Sequence, residues 1–87
     1  MKQIYRHRKF VKQFKRLPKK IQDKFGYKLT IFIFNPYSIE LNNHSLTGEW
    51  LGHRSIDITG DIRAIYRIDN DSCLFKAIGT HHQLYGK

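Results

Sequence analysis

Apolar positions change their period midway along the chain. In HRKFVKQFKRL, residues 7–17, Phe10, Val11, Phe14 and Leu17 fall at i, i+1, i+4 and i+7, the stripe of an amphipathic helix. Lys9, Lys12, Lys15, Arg16 and Lys19 lie largely outside that stripe. Pro18 suits the first position of a second helix, where its missing N–H has no helical partner to lose. Ile21, Phe25, Leu29 and Phe32 then repeat at 4, 4 and 3. The spacing predicts a helix over 18–34, stopped by Asn35-Pro36. TIFIF inside it would suit a buried strand on its own, but the longer period decides for a helix. KQIYR, residues 2–6, reads as a short first strand.

The second half turns to a period of two. In RSIDIT, residues 54–59, Ile56 and Ile58 alternate with Asp57 and Thr59. Gly60-Asp61 makes a tight connection, IRAIYRI (62–68) alternates in part, and Asp69-Asn70-Asp71 forms the next turn. CLFKAIG, 73–79, is the last strand. Three strands joined by short turns make an antiparallel meander. Residues 37–52, YSIELNNHSLTGEWLG, read as irregular and turn-rich. The whole is one α+β domain over residues 1–87, ordered β–α–α–β–β–β: a helical hairpin packed on one face of a small, mainly antiparallel, twisted sheet.

Composition narrows the class. Hydrophobic residues make up 40% of the 87, with six Phe, five Tyr and one Trp, which suffices for a core and excludes a disordered chain. Cys73 is the only cysteine, so no intramolecular disulfide and no Cys-cluster zinc site is possible. Its apolar surroundings predict a buried, inert thiol, in keeping with a reducing, cytoplasmic setting. MKQIYRHRKF has no apolar core of a signal peptide, and the longest apolar-rich stretch, 29–34, is far too short to span a membrane. There is no GxxxxGK[ST], HExxH or CxxC, so neither a metal nor another cofactor is expected.

Charge is the first functional clue. The net charge is +9, and all of it lies in residues 1–43, where eleven Lys/Arg face only Asp23 and Glu40. Residues 44–87 are balanced, five against five. The first half therefore reads as an electrostatic docking surface for a polyanion, nucleic acid or an acidic protein. A membrane surface is disfavoured, because the basic helices need their apolar faces for the core.

The balanced half holds the candidate chemistry. His44 precedes the meander, and His81 and His82 follow it. Segments flanking strand ends can converge at one end of a sheet, which would collect these imidazoles with Asp61, Arg63 and Tyr85. Histidine suits proton transfer near neutral pH, and arginine presents a planar fork matched to phosphate oxygens. Such a set meets the needs of metal-free RNA cleavage: a base for the 2′-OH proton, a cation for the crowded phosphate, and an acid for the leaving 5′-oxygen. The plainer reading of each is also open. A loop histidine can be solvated or capping, Asp61 can serve its turn, Tyr85 can lie on the sheet, and the basic faces can simply be hydrated.

Three ordered blocks separate these readings. NHSLTGEWLGHRSIDITGDIRAIYRI followed by GTHHQLYG resembles the RelE/ParE superfamily of bacterial type II toxins, most of all the YafQ-like mRNA interferases. That branch carries H-x-L-x-G-x-W-x-G-x-R, matched by His44, Leu46, Gly48, Trp50, Gly52 and Arg54. Asp61 and Tyr66 match its second block, and Gly79, His81, Leu84, Tyr85 and Gly86 its third. Two positions depart: Asp57 stands where the branch has a further His, and Ile62 where it has Trp. Arg63 instead resembles the catalytic Arg of the RelE-like G-x-R-x-x-Y stretch.

The resemblance implies the β–α–α–β–β–β fold and endonucleolytic cleavage of mRNA in the ribosomal A site. It implies His44, Asp61, His81 and Tyr85 as catalytic or RNA-contacting residues. We expect His81 and His44 to share the acid and base roles, in an order the sequence leaves open, and Arg63 to stabilise the phosphorane-like charge. Asp61 would orient a histidine or touch RNA, and Tyr85 would stack on a base or position the phosphate. Arg54, Lys9, Lys12, Lys15 and Arg16 would attract RNA phosphates. His82 reads as solvated and Trp50 as packing its loop. The expected partners are a cognate antitoxin, mRNA and the ribosome. The alternatives are a ParE-like gyrase inhibitor, which needs no imidazole pair, and a non-catalytic nucleic-acid-binding module.

Overall fold

His7 both ends the first strand and starts the first helix. In a computed structural model that describes residues 3–86, β1 (Ile4–Arg6) leads into His7, whose N–H donates to the Phe75 carbonyl at 2.8 Å. The His7 Nδ1 accepts the Lys9 N–H at 3.0 Å, satisfying one orphan donor of α1 (Arg8–Lys15). Lys2, the head of the expected first strand, lies outside the described residues, as do Met1 and Lys87.

Pro18 stands just before α2 (Lys19–Phe34), not within it: its ψ of 149° is extended. Its carbonyl accepts from Ile21 and Gln22 at 2.9 and 3.0 Å. The Gln22 amide reaches back to the Phe14 and Leu17 carbonyls at 3.2 and 3.0 Å, closing the end of α1 that lacks helical partners. TIFIF continues the helix. Phe25 and Phe32 are buried on its inner face, with Ile21, Leu29 and Ile31 packed alongside.

The sheet has five strands in the order β1-β5-β4-β3-β2. β3 spans Arg54–Asp57, β4 Ile62–Asp69 and β5 Ser72–Thr80. β1 runs parallel to β5, and the other pairs are antiparallel. The α+β architecture of two helices on one sheet face is thus as the pattern indicates. Two elements correct the details. Residues 37–52 are not wholly irregular: they contain the edge strand β2 (His44–Ser45) and two 3-10 turns, Ile39–Leu41 and Gly48–Trp50. Two paired residues are too few to display a period. Residues 81–85, beyond the expected last strand, form a helix, α3 (His81–Tyr85). β3 also stops short of Thr59, because the Ile58 and Thr59 N–H groups both turn onto the Ile62 carbonyl at 2.8 and 3.1 Å.

The core between helices and sheet is aromatic. Phe10, Phe25, Phe32, Tyr66 and Phe75 are almost fully buried, with ring centroids of neighbouring pairs 4.9–5.7 Å apart. The opposite face carries a second, smaller cluster: Ile65, Ala77 and Leu84 are buried under Leu46, Trp50 and Tyr85. A β-bulge makes this possible. Ile65 pairs with Ala77 while Tyr66 pairs with Phe75, so Lys76 is the extra residue. Phe75 before the bulge and Ile78 after it both face the helices, and Ala77 is turned to the far side.

Candidate active site

The C-terminal stretch GTHHQLYG is built residue by residue to present two rings. Thr80 is the N-cap of α3, its hydroxyl accepting the Gln83 N–H at 3.1 Å, and the Gln83 Oε1 accepts the Thr80 N–H at 2.8 Å. This reciprocal capping box fixes both the entry of the helix and the Gln83 side chain. Gly79 leaves room for this amide: a Cβ there would sit 2.7 Å from the Gln83 Oε1, which would have to move. Gly86 ends the helix in the left-handed region, φ 71°, its N–H on the His82 carbonyl at 2.8 Å. Leu84 roots the helix in the second cluster. His81 and Tyr85, one turn apart, meet edge to face with centroids 4.6 Å apart.

The facing wall comes from residues 42–50. Asn42 adopts the left-handed region, φ 47°, and its carbonyl lies 2.8 Å from the His44 Nδ1, orienting that ring at the sheet edge. Trp50 crosses to the other wall: its indole N–H donates to the Leu84 carbonyl at 3.2 Å. The ring of His53 packs edge-on against it at 5.2 Å. The floor is Arg63 of β4, whose register partner on β3 is Asp57. The Arg63 Nε lies 3.4 Å from the Asp57 Oδ1, and the Asn42 amide donates to the other carboxylate oxygen at 3.1 Å.

Between these walls is an open cleft of about 670 Å³ that brings together His44, Arg63, His81 and Tyr85, with Asn42, Glu49 and Trp50. His44 and His81 are exposed, so both imidazoles are open to solvent. Asp61 stands outside this cleft. It lies in an adjoining shallow recess with Thr80 and His82, which shares only Arg63 and His81 with the main cleft. At its turn the Asp61 N–H is held by the Thr59 hydroxyl at 3.2 Å, and the residue is exposed.

The basic residues are dispersed. The Arg54 Nε donates to the Asn43 Oδ1 at 2.8 Å, and its guanidinium lies 5.3 Å from the Tyr37 ring centroid. The Asn43 amide in turn donates to the Tyr66 hydroxyl and the Pro36 carbonyl, both at 2.7 Å. Burial raises the Tyr66 phenol above its ordinary pKa, although the Asn43 hydrogen bond and the Arg54 charge pull the other way. Arg54 is therefore engaged in a structural network away from the cleft. Lys9, Lys12 and Arg16 line a separate recess on α1, with His7 and Arg8, and Lys15 is exposed at the end of that helix.

Sequence reasoning missed Asn42 and Glu49 and noted Asp57 only as a departure. The first two lie in the irregular stretch, where no period assigns a direction. Asp57 could have been found by pairing β3 with β4 across the Gly60 turn, which sets it opposite Arg63. Among the described residues no group of three or more His, Cys, Asp or Glu is placed to hold a metal ion, and no helix is long and apolar enough to cross a membrane.

The family model described as the bacterial toxin of type II toxin-antitoxin system, YafQ, matches residues 2–86. The fold superposes on the crystal structure of YafQ from E. coli strain BL21(DE3) with a TM-score of 0.82 and 28% identity, covering 95% of this chain and 97% of that one. It superposes on the YafQ of the E. coli DinJ–YafQ toxin–antitoxin complex with a TM-score of 0.78 and 28% identity, over 95% and 96% of the two chains. The RelB–RelE complex from Methanococcus jannaschii gives 0.74 at 16% identity, over 94% and 95%, a likeness of fold. No curated protein sequence matches significantly.

Proposed function

We propose that this chain, which belongs to the YafQ family of bacterial type II toxin–antitoxin toxins, is a ribosome-dependent mRNA endoribonuclease. The observation that carries the reading is the cleft in which His44, His81, Arg63 and Tyr85 meet. In the reaction, one imidazole takes the proton of a ribose 2′-OH, and the freed oxygen attacks the adjacent phosphorus. The P–O5′ bond breaks as the second imidazole, protonated, gives its proton to the departing 5′-oxygen. The products are a 2′,3′-cyclic phosphate and a free 5′-OH, so no water is consumed. Arg63 faces the charge that builds on the phosphoryl oxygens, and Tyr85 offers a ring on which a splayed base can stack.

Asp61 acts from the shoulder of the cleft, contacting RNA beyond the cleaved bond. The lysines and Arg16 of α1 add non-specific attraction to rRNA phosphates, while Arg54 contributes chiefly by holding the fold. Such an activity operates in the cytoplasm. A cognate antitoxin partners the toxin, as DinJ does YafQ in the E. coli complex, and an acidic segment of it would neutralise the basic helices.

The test is a translation extract with a defined mRNA. Wild-type protein is expected to cut at codon positions, and His81→Ala to lower the rate at least about 100-fold without loss of folding. Intact mRNA together with inhibited gyrase supercoiling would replace this reading by that of a gyrase inhibitor. RNA binding without either effect would leave a non-catalytic binding module.

A further inference from the structure

We infer that Asp57 is a positioning residue that fixes Arg63 and His44 relative to one another. The inference rests on the nuclease reading above and extends it. Asp57 and Arg63 are directly opposed on adjacent strands, and their side chains are 27% and 26% exposed. The Asp57 Oδ1 is buried and meets Arg63 only as an ion pair at 3.4 Å, without hydrogen-bond geometry. The Oδ2 is taken by the Asn42 amide at 3.1 Å. Both carboxylate oxygens thus face protein groups, and Asp57 does not line the cleft itself.

Its two partners lead to two sides of the cleft, the floor and the 42–50 wall. Through Arg63 it reaches the floor. Through Asn42 it reaches His44, because the same residue that donates to Asp57 turns its carbonyl to the His44 Nδ1 at 2.8 Å. Asn42 holds this dual position from a left-handed backbone, φ 47°. One carboxylate therefore sets the distance between the imidazole and the guanidinium that must act on one phosphate. A long arginine left free would sample many rotamers, and ordering it in advance removes that entropy from the reaction step.

The carboxylate also opposes RNA binding electrostatically. By charge alone, removing it from beside Arg63 strengthens the attraction for phosphate. Positioning and mere stability therefore make different kinetic demands, and the experiment exploits this difference.

Asp57→Asn keeps the side-chain volume and an acceptor for Asn42 but removes the negative charge that faces Arg63. Initial rates of mRNA cleavage at varied ribosome–mRNA concentration give kcat and KM, with active protein counted by antitoxin titration. Asp57→Asn is expected to lower kcat about tenfold while KM stays level or falls. In an Arg63→Lys background, which has no Nε to hold, the same substitution should change kcat by less than twofold. NMR of the Arg63 Nε–H should show a dispersed signal in the wild type that collapses toward the free-arginine position in Asp57→Asn. An active wild type with unchanged kcat in Asp57→Asn, or an equal loss in both backgrounds, overturns the inference. A wild type that cleaves no mRNA overturns the nuclease reading instead, and the Arg63 signal then still reports whether Asp57 holds the guanidinium.

Discussion

Trp50 donates its indole N–H to the carbonyl of Leu84, a hydrogen bond that joins two walls of the cleft separated by 34 residues of chain. The indole also covers the second cluster of Ile65, Ala77 and Leu84. Trp50→Phe keeps most of the apolar cover but leaves the carbonyl without its donor. We expect a loss of about 1–2 kcal/mol by chemical denaturation, with cleavage falling further than stability alone explains. Wild-type activity and stability in Trp50→Phe would show that the two walls hold without this bond.

Gly79 and Gln83 form a second such relationship. A Cβ at residue 79 would press on the Gln83 Oε1, so Gly79→Ala should expel the amide and open the capping box, at about 1 kcal/mol. Because the damage passes through Gln83, the double variant Gly79→Ala/Gln83→Ala should be no less stable than Gln83→Ala alone. Additive losses in the thermal midpoints would point to another cause.

The α1 surface should act on binding and not on chemistry. Replacing Lys9, Lys12 and Arg16 by Ala is expected to raise KM for ribosome-bound mRNA and leave kcat near the wild-type value. Each of these cations that meets a phosphate should take about 0.7 from the slope of log affinity against log salt. An unchanged slope would return this face to plain solvation.

Cys73 makes the fold sensitive to alkali. It is fully buried, and that burial pushes its thiol up to about 12 from an ordinary 9.0. The folded chain thus holds this proton more tightly than the unfolded chain does. The resulting stability is fully present below pH 9 and is lost as pH rises toward 12, at up to about 1.4 kcal/mol per pH unit. Tyr66 works in the same direction above pH 10. Denaturant midpoints at pH 8 and pH 10.5 should therefore fall less for Cys73→Ala than for the wild type. The native thiol should also resist alkylation at pH 8 until the chain unfolds.

The sequence by itself determined the helical hairpin, the meander and the identity of most of the cleft's rings. Phe10, Phe14 and Leu17 declare α1, and Ile21, Phe25, Leu29 and Phe32 declare α2, because burying one helix face imposes a local period. Ile56 does the same for β3, with Ile58 buried just beyond its end. His44, His81 and Tyr85 were legible through their motifs, and Trp50 as the packing of its loop. Tertiary structure decided what has no local period. Two residues suffice for β2 because an existing edge supplies their partners, and five suffice for α3 because Leu84 finds a second cluster to enter. The bulge at Lys76 that creates this cluster exists only in the pairing of β4 with β5. Arg54 and Asp57 are both half-buried charges in a six-residue run, RSIDIT. Which would be spent on the fold and which would face the cleft's arginine depended on the strands beside them, since a side chain's partner across a sheet is set by register.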